Sequence, residues 1–277
     1  MTGSAASMGE ELARSIHPEK VFPFLPGMST ANLAALYGLD EPAYAAIRDR
    51  FAAQTAAAAR DLLAEPEFAA AVDRLPFSAG QTLAVIGEST TDAANSWLEI
   101  LGHLIERRRP ADAVKLVNTA ISGYPTTMLQ RVMAETLQRH RPGWVAVFAG
   151  GNDALRYGTG ASKPLVTGTE TARNLAEMRR QAVAARARII WMTPTARDTA
   201  RIAAYPPFQG QQIWLEDDDM RAVDDAIRAT AGDGDVVVDL SGAFGRPLDA
   251  ALLSADGLHP TLAGQKAIAK QFAEQVS

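Results

Sequence analysis

The chain has 277 residues, 47% hydrophobic and 21% charged, with a net charge of -5, the composition of a soluble globular domain plus an elaboration. That acidic balance excludes a general binder of nucleic-acid phosphates, which needs clustered Lys and Arg, and the one basic run, Arg107-Arg108-Arg109, reads as a helix end whose cations complement the dipole. The absence of cysteine excludes structural disulfides, thiolate metal sites and cysteine nucleophiles.

The first twenty residues, MTGSAASMGEELARSIHPEK, hold no basic segment followed by an apolar run. Nowhere do about eighteen apolar residues stand together, so the expectation is a cytoplasmic protein without a membrane partner.

Residues 1–79 read as a helical extension with no strand. Asp40-Glu41-Pro42 has the form of a helix start, aspartate as cap and proline in the first turn. The alanine-rich run to Ala64 puts Tyr44, Ile47, Phe51 and Leu62 on one face, which needs an apolar partner. Glu65-Pro66 breaks it, and a short helix through Phe68 and Val72 leads to Pro76. The extension is open to two readings, a packing element or a lid or dimer contact near the cleft, and its helices offer a surface for a homo-oligomer.

From residue 80 the pattern changes to short apolar strands separated by amphipathic segments of helix length. Strands are expected at Leu83–Ile86, Lys115–Asn118, Trp144–Phe148, Arg188–Met192 and Val236–Asp239. Helices are expected at Ala93–Arg109, Thr126–Arg139, Glu170–Ala184, Asp218–Thr230 and Thr261–Gln275. Continuous apolar strands alternating with helices specify a parallel sheet buried on both faces. Ligands of such sheets bind beyond the carboxyl ends of the strands.

Four short motifs stand at those ends: Gly87-Glu88-Ser89, the segment NTAISG ending at Gly123, AGGND containing Asn152, and Asp256-Gly257-Leu258-His259-Pro260. Each has a bland reading as turn chemistry, with Ser89 a helix cap and Gly123 and Asn152 loop formers. Together they supply what acyl transfer needs. A serine hydroxyl requires a base, and the base a group fixing its tautomer. Of the four histidines, His259 alone lies in a turn at this edge, with Asp256 beside it. Backbone N–H groups of Ser89 and Gly123 and the Asn152 amide can stabilise the oxyanion.

These motifs, in this order, resemble the SGNH hydrolases, also called the GDSL esterase and lipase family, over residues 81–277. The resemblance implies a flavodoxin-like, three-layer α/β fold with five parallel strands in order 2-1-3-4-5. It also implies a catalytic triad of Ser89, His259 and Asp256, an oxyanion hole of Ser89, Gly123 and Asn152, and no metal or organic cofactor. Glu88 departs from the family's usual aspartate and is expected to alter turn packing more than chemistry.

The reading is a serine ester hydrolase acting on a small-molecule ester with a short acyl group, acetyl among the candidates. Acyl transfer to an alcohol other than water uses the same residues. A non-catalytic flavodoxin-like binding module is the rival from another class, weakened because the first turn lacks a glycine-rich phosphate loop. Two long loops, 156–168 and 196–215, are expected to shape the pocket, the second through Tyr205, Pro206, Pro207, Phe208 and Trp214. The acidic run Glu216–Asp219 reads as a helix N-terminus, not a metal site.

Overall fold

The computed structural model describes the fold of residues 2–277 and the side chains from Met8 onward. Seven strands form: β1 Thr82–Gly87, β2 Lys115–Asn118, β3 Trp144–Phe148, β4 Leu155–Tyr157, β5 Arg188–Met192, β6 Ile213–Leu215 and β7 Val236–Val238. Five of them make an all-parallel sheet in the order β2-β1-β3-β5-β7, which, counting that sheet's strands alone, is the expected 2-1-3-4-5. The other two, β4 and β6, pair antiparallel, Leu155 opposite Leu215. They lie in segments read from the sequence as loops, because three residues are too few to show a period.

The extension folds as α1 Thr2–Ser15, α2 Pro18–Val21, α3 Thr30–Leu36, α4 Glu41–Leu63 and α5 Pro66–Asp73. Asp40 caps α4 as its sequence suggests, its side chain accepting from Ala43 N at 2.8 Å. After β1 come α6 Ser89–Asp92 and α7 Trp97–Arg108, where one helix from Ala93 was expected. The break has a local cause: Ala93 leaves helical geometry at φ -51°, ψ 134°, and Ser96 is extended at the start of α7. The remaining helices are α8 Thr126–His140, α9 Gly168–Ala184, α10 Thr199–Ala204, α11 Pro206–Gly210, α12 Asp217–Thr230 and α13 Leu262–Val276.

Strand side chains alternate between two cores. Val85 and Ala146 face a core built with α4, α5, α7 and α13, whereas Ile86 and Val147 face one built with α8, α9 and α12. The sheet is therefore covered on both sides, as its apolar strands require.

The first core does not stop at residue 80. Leu62, Phe68, Val72 and Phe77 are at most 2% exposed and pack with Leu83, Trp144 and Phe272. The other half of α4, through Tyr44, Ile47 and Phe51, packs on Ala13, Leu33 and Tyr37 in a third cluster inside the extension. The apolar face of α4 thus has two partners, the sheet domain at its C-terminal end and α1 and α3 at its N-terminal end.

Because Leu62 sits in the core shared with the sheet, Leu62→Ala should cost about 2–5 kcal/mol, the range for deleting a well-packed leucine. Chemical denaturation would measure it, and a change near zero would mean that the extension is only loosely attached.

Candidate active site

The Ser89 turn is built by close approach. β1 ends at Gly87, Glu88 is extended, and α6 opens at Ser89. A Cβ on Gly87 would lie 3.0 Å from Phe148 O and 3.1 Å from Thr91 Oγ1, so a side chain there would push the turn off β3.

His259 reaches this turn from the segment before α13. Gly257, at φ +70°, makes the bend, and a Cβ there would meet Asp198 O at 2.6 Å. Asp256 Oδ1 accepts from Leu258 N and His259 N, both at 2.9 Å, and from Ser254 Oγ at 2.6 Å. Its Oδ2 accepts from His259 Nδ1 at 2.6 Å, and His259 Nε2 stands 2.9 Å from Ser89 Oγ. Burial opposes the charge on Asp256, but the hydrogen bonds from His259 and Ser254 prevail and hold its pKa well below the usual carboxylate range. With Nδ1–H committed to Asp256, Nε2 is free to accept the Ser89 proton.

The three expected oxyanion donors differ in their settings. Among the described residues, Ser89 N and Gly123 N donate to no protein acceptor. Gly123 adopts φ +79° and lines neither of the two cavities at Ser89. Asn152 lines the smaller one, and its side-chain amide donates to Glu88 Oε2 and to Tyr124 O, the latter at 3.2 Å.

Glu88 is the residue whose part the sequence least revealed. Its buried carboxyl also accepts from Gly151 N at 2.7 Å and Asn152 N at 2.9 Å, and so fixes the whole Gly151-Asn152 turn. Burial pushes its pKa up to about 8, against the pull of those three donors. The next residue, Asp153, does the same for the start of α8, accepting from Thr126 N at 2.7 Å and Thr171 Oγ1 at 2.7 Å, with burial raising its pKa.

The extension reaches the site too. Asp92, its side chain 1% exposed at the end of α6, accepts from Lys20 Nζ at 2.6 Å and His17 Nδ1 at 3.0 Å. Burial opposes that charge, yet these partners keep Asp92 below its ordinary pKa. The same carboxylate accepts from Ser122 N at 2.9 Å, next to Gly123, while Ser122 Oγ lies 2.5 Å from Ser15 O. Ala94 N donates to Arg14 O at 2.8 Å. Residues 14–20 therefore brace both α6, which opens at Ser89, and the loop carrying Gly123. Asp92 at position four of the serine helix was the only local hint.

Two cavities meet at Ser89 and His259. One, about 60 Å³, is lined by Phe148, Asn152, Arg197 and Met220 as well as the serine and histidine. The other, about 330 Å³, runs between Glu11 and Arg14 of α1 on one wall and Tyr205 and Phe208 on the other. Tyr205 and Phe208 pack edge to face at 5.1 Å between ring centroids. Trp214, expected in that patch, instead lies under Arg156 and donates to Gly158 O at 3.1 Å. Asp217, Asp218 and Asp219 do open α12. Among the described residues no group of three or more His, Asp or Glu gathers in a metal-binding arrangement, and no helix is long and apolar enough to cross a membrane.

Because the folded-state pKa of Glu88 is raised above its unfolded value of 4.5, the fold favours the neutral acid. That stabilisation is complete below pH 4.5 and lost as pH rises through about 8. Thermal unfolding of wild type and Glu88→Gln at several pH values should show the wild type losing ground to the variant between pH 5 and pH 9. A constant offset across that range would mean an ordinary carboxyl.

The chain matches the GDSL-like Lipase/Acylhydrolase family over residues 85–267, well over half its length. Among solved structures it is similar to LAE5, an alpha/beta hydrolase enzyme from the metagenome of Lake Arreo, Spain, at 24% identity and TM-score 0.55, covering 73% of this chain and 97% of that one. It is also similar to Axe2, an acetylxylan esterase from Geobacillus stearothermophilus, at 22% identity and TM-score 0.56, covering 73% and 96%. The likeness to TesA is 22% identity and TM-score 0.51, covering 69% and 95%. At these identities the likeness is one of fold. No curated protein matches the chain in sequence. With three of the motifs at strand ends of a parallel α/β sheet, the fourth in the segment before α13, and the family match running from β1 into the last helix, the chain belongs to the GDSL-like lipase/acylhydrolase family and is a carboxylic ester hydrolase.

Proposed function

We propose that the protein is a serine hydrolase of small acyl esters, with Ser89 as nucleophile, His259 as general base and acid, and Asp256 as the group that orients the imidazole. The observation that carries this is the hydrogen-bonded chain Ser89 Oγ to His259 Nε2 at 2.9 Å and His259 Nδ1 to Asp256 Oδ2 at 2.6 Å. In acylation His259 takes the serine proton as Oγ adds to the carbonyl carbon. It then returns that proton to the leaving alcohol as the tetrahedral intermediate collapses. In deacylation water follows the same route and releases the acid.

The negative oxygen of the intermediate is stabilised by Ser89 N–H, Gly123 N–H and the Asn152 amide. Asn152 joins by giving up its longer donation, the 3.2 Å contact to Tyr124 O, for a charged acceptor. Glu88 holds the Asn152 backbone while this exchange takes place.

Cavity size supports an ester with one compact end. The space of about 60 Å³ beside the Asn152 amide takes a short acyl chain or a small alcohol, while the 330 Å³ cleft accepts the larger part of the ester. An aromatic pair facing a charged helix suits a polyol or sugar, apolar faces on one side and hydroxyls on the other. Acyl transfer to an alcohol remains the second reading, favoured by that open cleft beside His259.

A fluorophosphonate probe should label Ser89 and no other serine, read by peptide mass spectrometry. Full esterase activity in Ser89→Ala would overturn the assignment. For Asn152, loss of one oxyanion donor predicts a fall in kcat of about 10²- to 10³-fold with little change in KM. Near-normal turnover in a folded Asn152→Ala would make the Gly151-Asn152 turn purely structural.

A further inference from the structure

The small cavity holds a charge that hydrolysis of a neutral ester does not use. Arg197, between β5 and α10, lines it together with Ser89 and His259. Its side chain is only 13% exposed, yet among the described residues its Nε is buried with no acceptor. The nearest carboxylate oxygen, Asp217 Oδ1, stands 3.8 Å from Nη2, beyond hydrogen-bond length, on a side chain 62% exposed to screening solvent.

The molecule's other sheltered arginines are treated differently. Arg156, also 13% exposed, donates to Asp219 at 2.6 Å and to Ala161 O at 3.1 Å. Arg109, equally sheltered, donates to Asp112 and Leu75 O, both at 2.6 Å. A guanidinium is a rigid fork of five donors, and keeping one buried and unmatched is costly unless a ligand completes it. Burial already pulls the Arg197 pKa down to about 10, with Asp217 opposing only in part.

We propose that Arg197 is the recognition group for an anionic oxygen, carboxylate or phosphate, carried by the ester within reach of the reacting carbonyl, so that the natural substrate is an acidic ester. This rests on the ester hydrolase reading above and deepens it. Both groups present two oxygens that match the guanidinium fork, and the cation offsets the repulsion between an acidic substrate and a chain of net charge -5. The anion has two sources. A carboxylate would end the acyl group, as in a dicarboxylic half-ester, and a phosphate would sit on the alcohol.

The test compares matched esters in wild type, Arg197→Lys and Arg197→Met. The acyl pair is 4-nitrophenyl acetate against mono-4-nitrophenyl succinate, and the alcohol pair is acetylglycerol against acetylglycerol 3-phosphate. Wild type should prefer the acidic member of one pair by about 10- to 100-fold in kcat/KM, the scale of a charge-assisted bidentate contact. Arg197→Met should abolish that preference mainly through KM, and Arg197→Lys should keep part of it. The pair that responds identifies the source.

Binding gives a readout independent of turnover. In Ser89→Ala, millimolar succinate or inorganic phosphate should raise Tm, and adding Arg197→Met should remove the rise. No rise with either anion, or an acidic preference unchanged in Arg197→Met, overturns the proposal even where the esterase reading stands. Conversely, if Ser89 takes no fluorophosphonate and no ester turns over, the esterase reading fails, while an Arg197-dependent anion shift still marks the pocket as an anion site.

Discussion

The turns that carry Ser89, Gly123 and Asn152 take their positions from β1, held between β2 and β3 by parallel pairing. In that register Val85 stands opposite both Asn118 and Ala146, and Gly87 opposite Phe148. Parallel strands all point the same way, so the turns after β1, β2 and β3 emerge along one edge. The serine turn, the Gly123 loop and the Gly151-Asn152 turn are therefore neighbours because of the ladder, although some sixty residues separate the first from the last. Helices on both faces keep water from competing for the ladder's hydrogen bonds.

On that frame the site is organised by buried carboxylates, each solved differently. Asp256 gathers hydrogen bonds from Ser254, Leu258 and His259 and stays ionised, which is what a group orienting an imidazolium requires. Asp92 stays ionised through Lys20 and His17 and passes that order to Ser122. Glu88 faces only neutral donors, so burial wins and its pKa rises. The difference is one of partners: His17 and Lys20 beside Asp92, and the imidazole beside Asp256, outweigh desolvation, whereas the amide N–H groups around Glu88 do not.

The extension belongs to both accounts. Its C-terminal half supplies Leu62, Phe68 and Phe77 to the core under the sheet, and its N-terminal half supplies Glu11 and Arg14 to the cleft and His17 and Lys20 to Asp92. A packing role and a cleft-shaping role are thus carried by different segments of one element.

Local chemistry made much of this legible without coordinates. A short apolar run such as WVAVF, rich in β-branched and aromatic residues, reads as a strand buried on both faces, and Asp40-Glu41-Pro42 can cap a helix wherever it lies, because composition and capping depend on a few adjacent residues. Ser89 stands in a turn next to such a run, and the tertiary fold brings the DGLHP segment before α13 to it, His259 Nε2 lying 2.9 Å from Ser89 Oγ. Strands β4 and β6, each too short to show a period, were not legible. Nor were the grip of Glu88 on Asn152, sixty-four residues away, the pairing of Lys20 with Asp92 across seventy-two, or the buried, unpartnered Nε of Arg197. Whether a charged side chain finds a partner depends on which distant segments the sheet and its helices bring beside it, and no run of neighbouring residues encodes that distance.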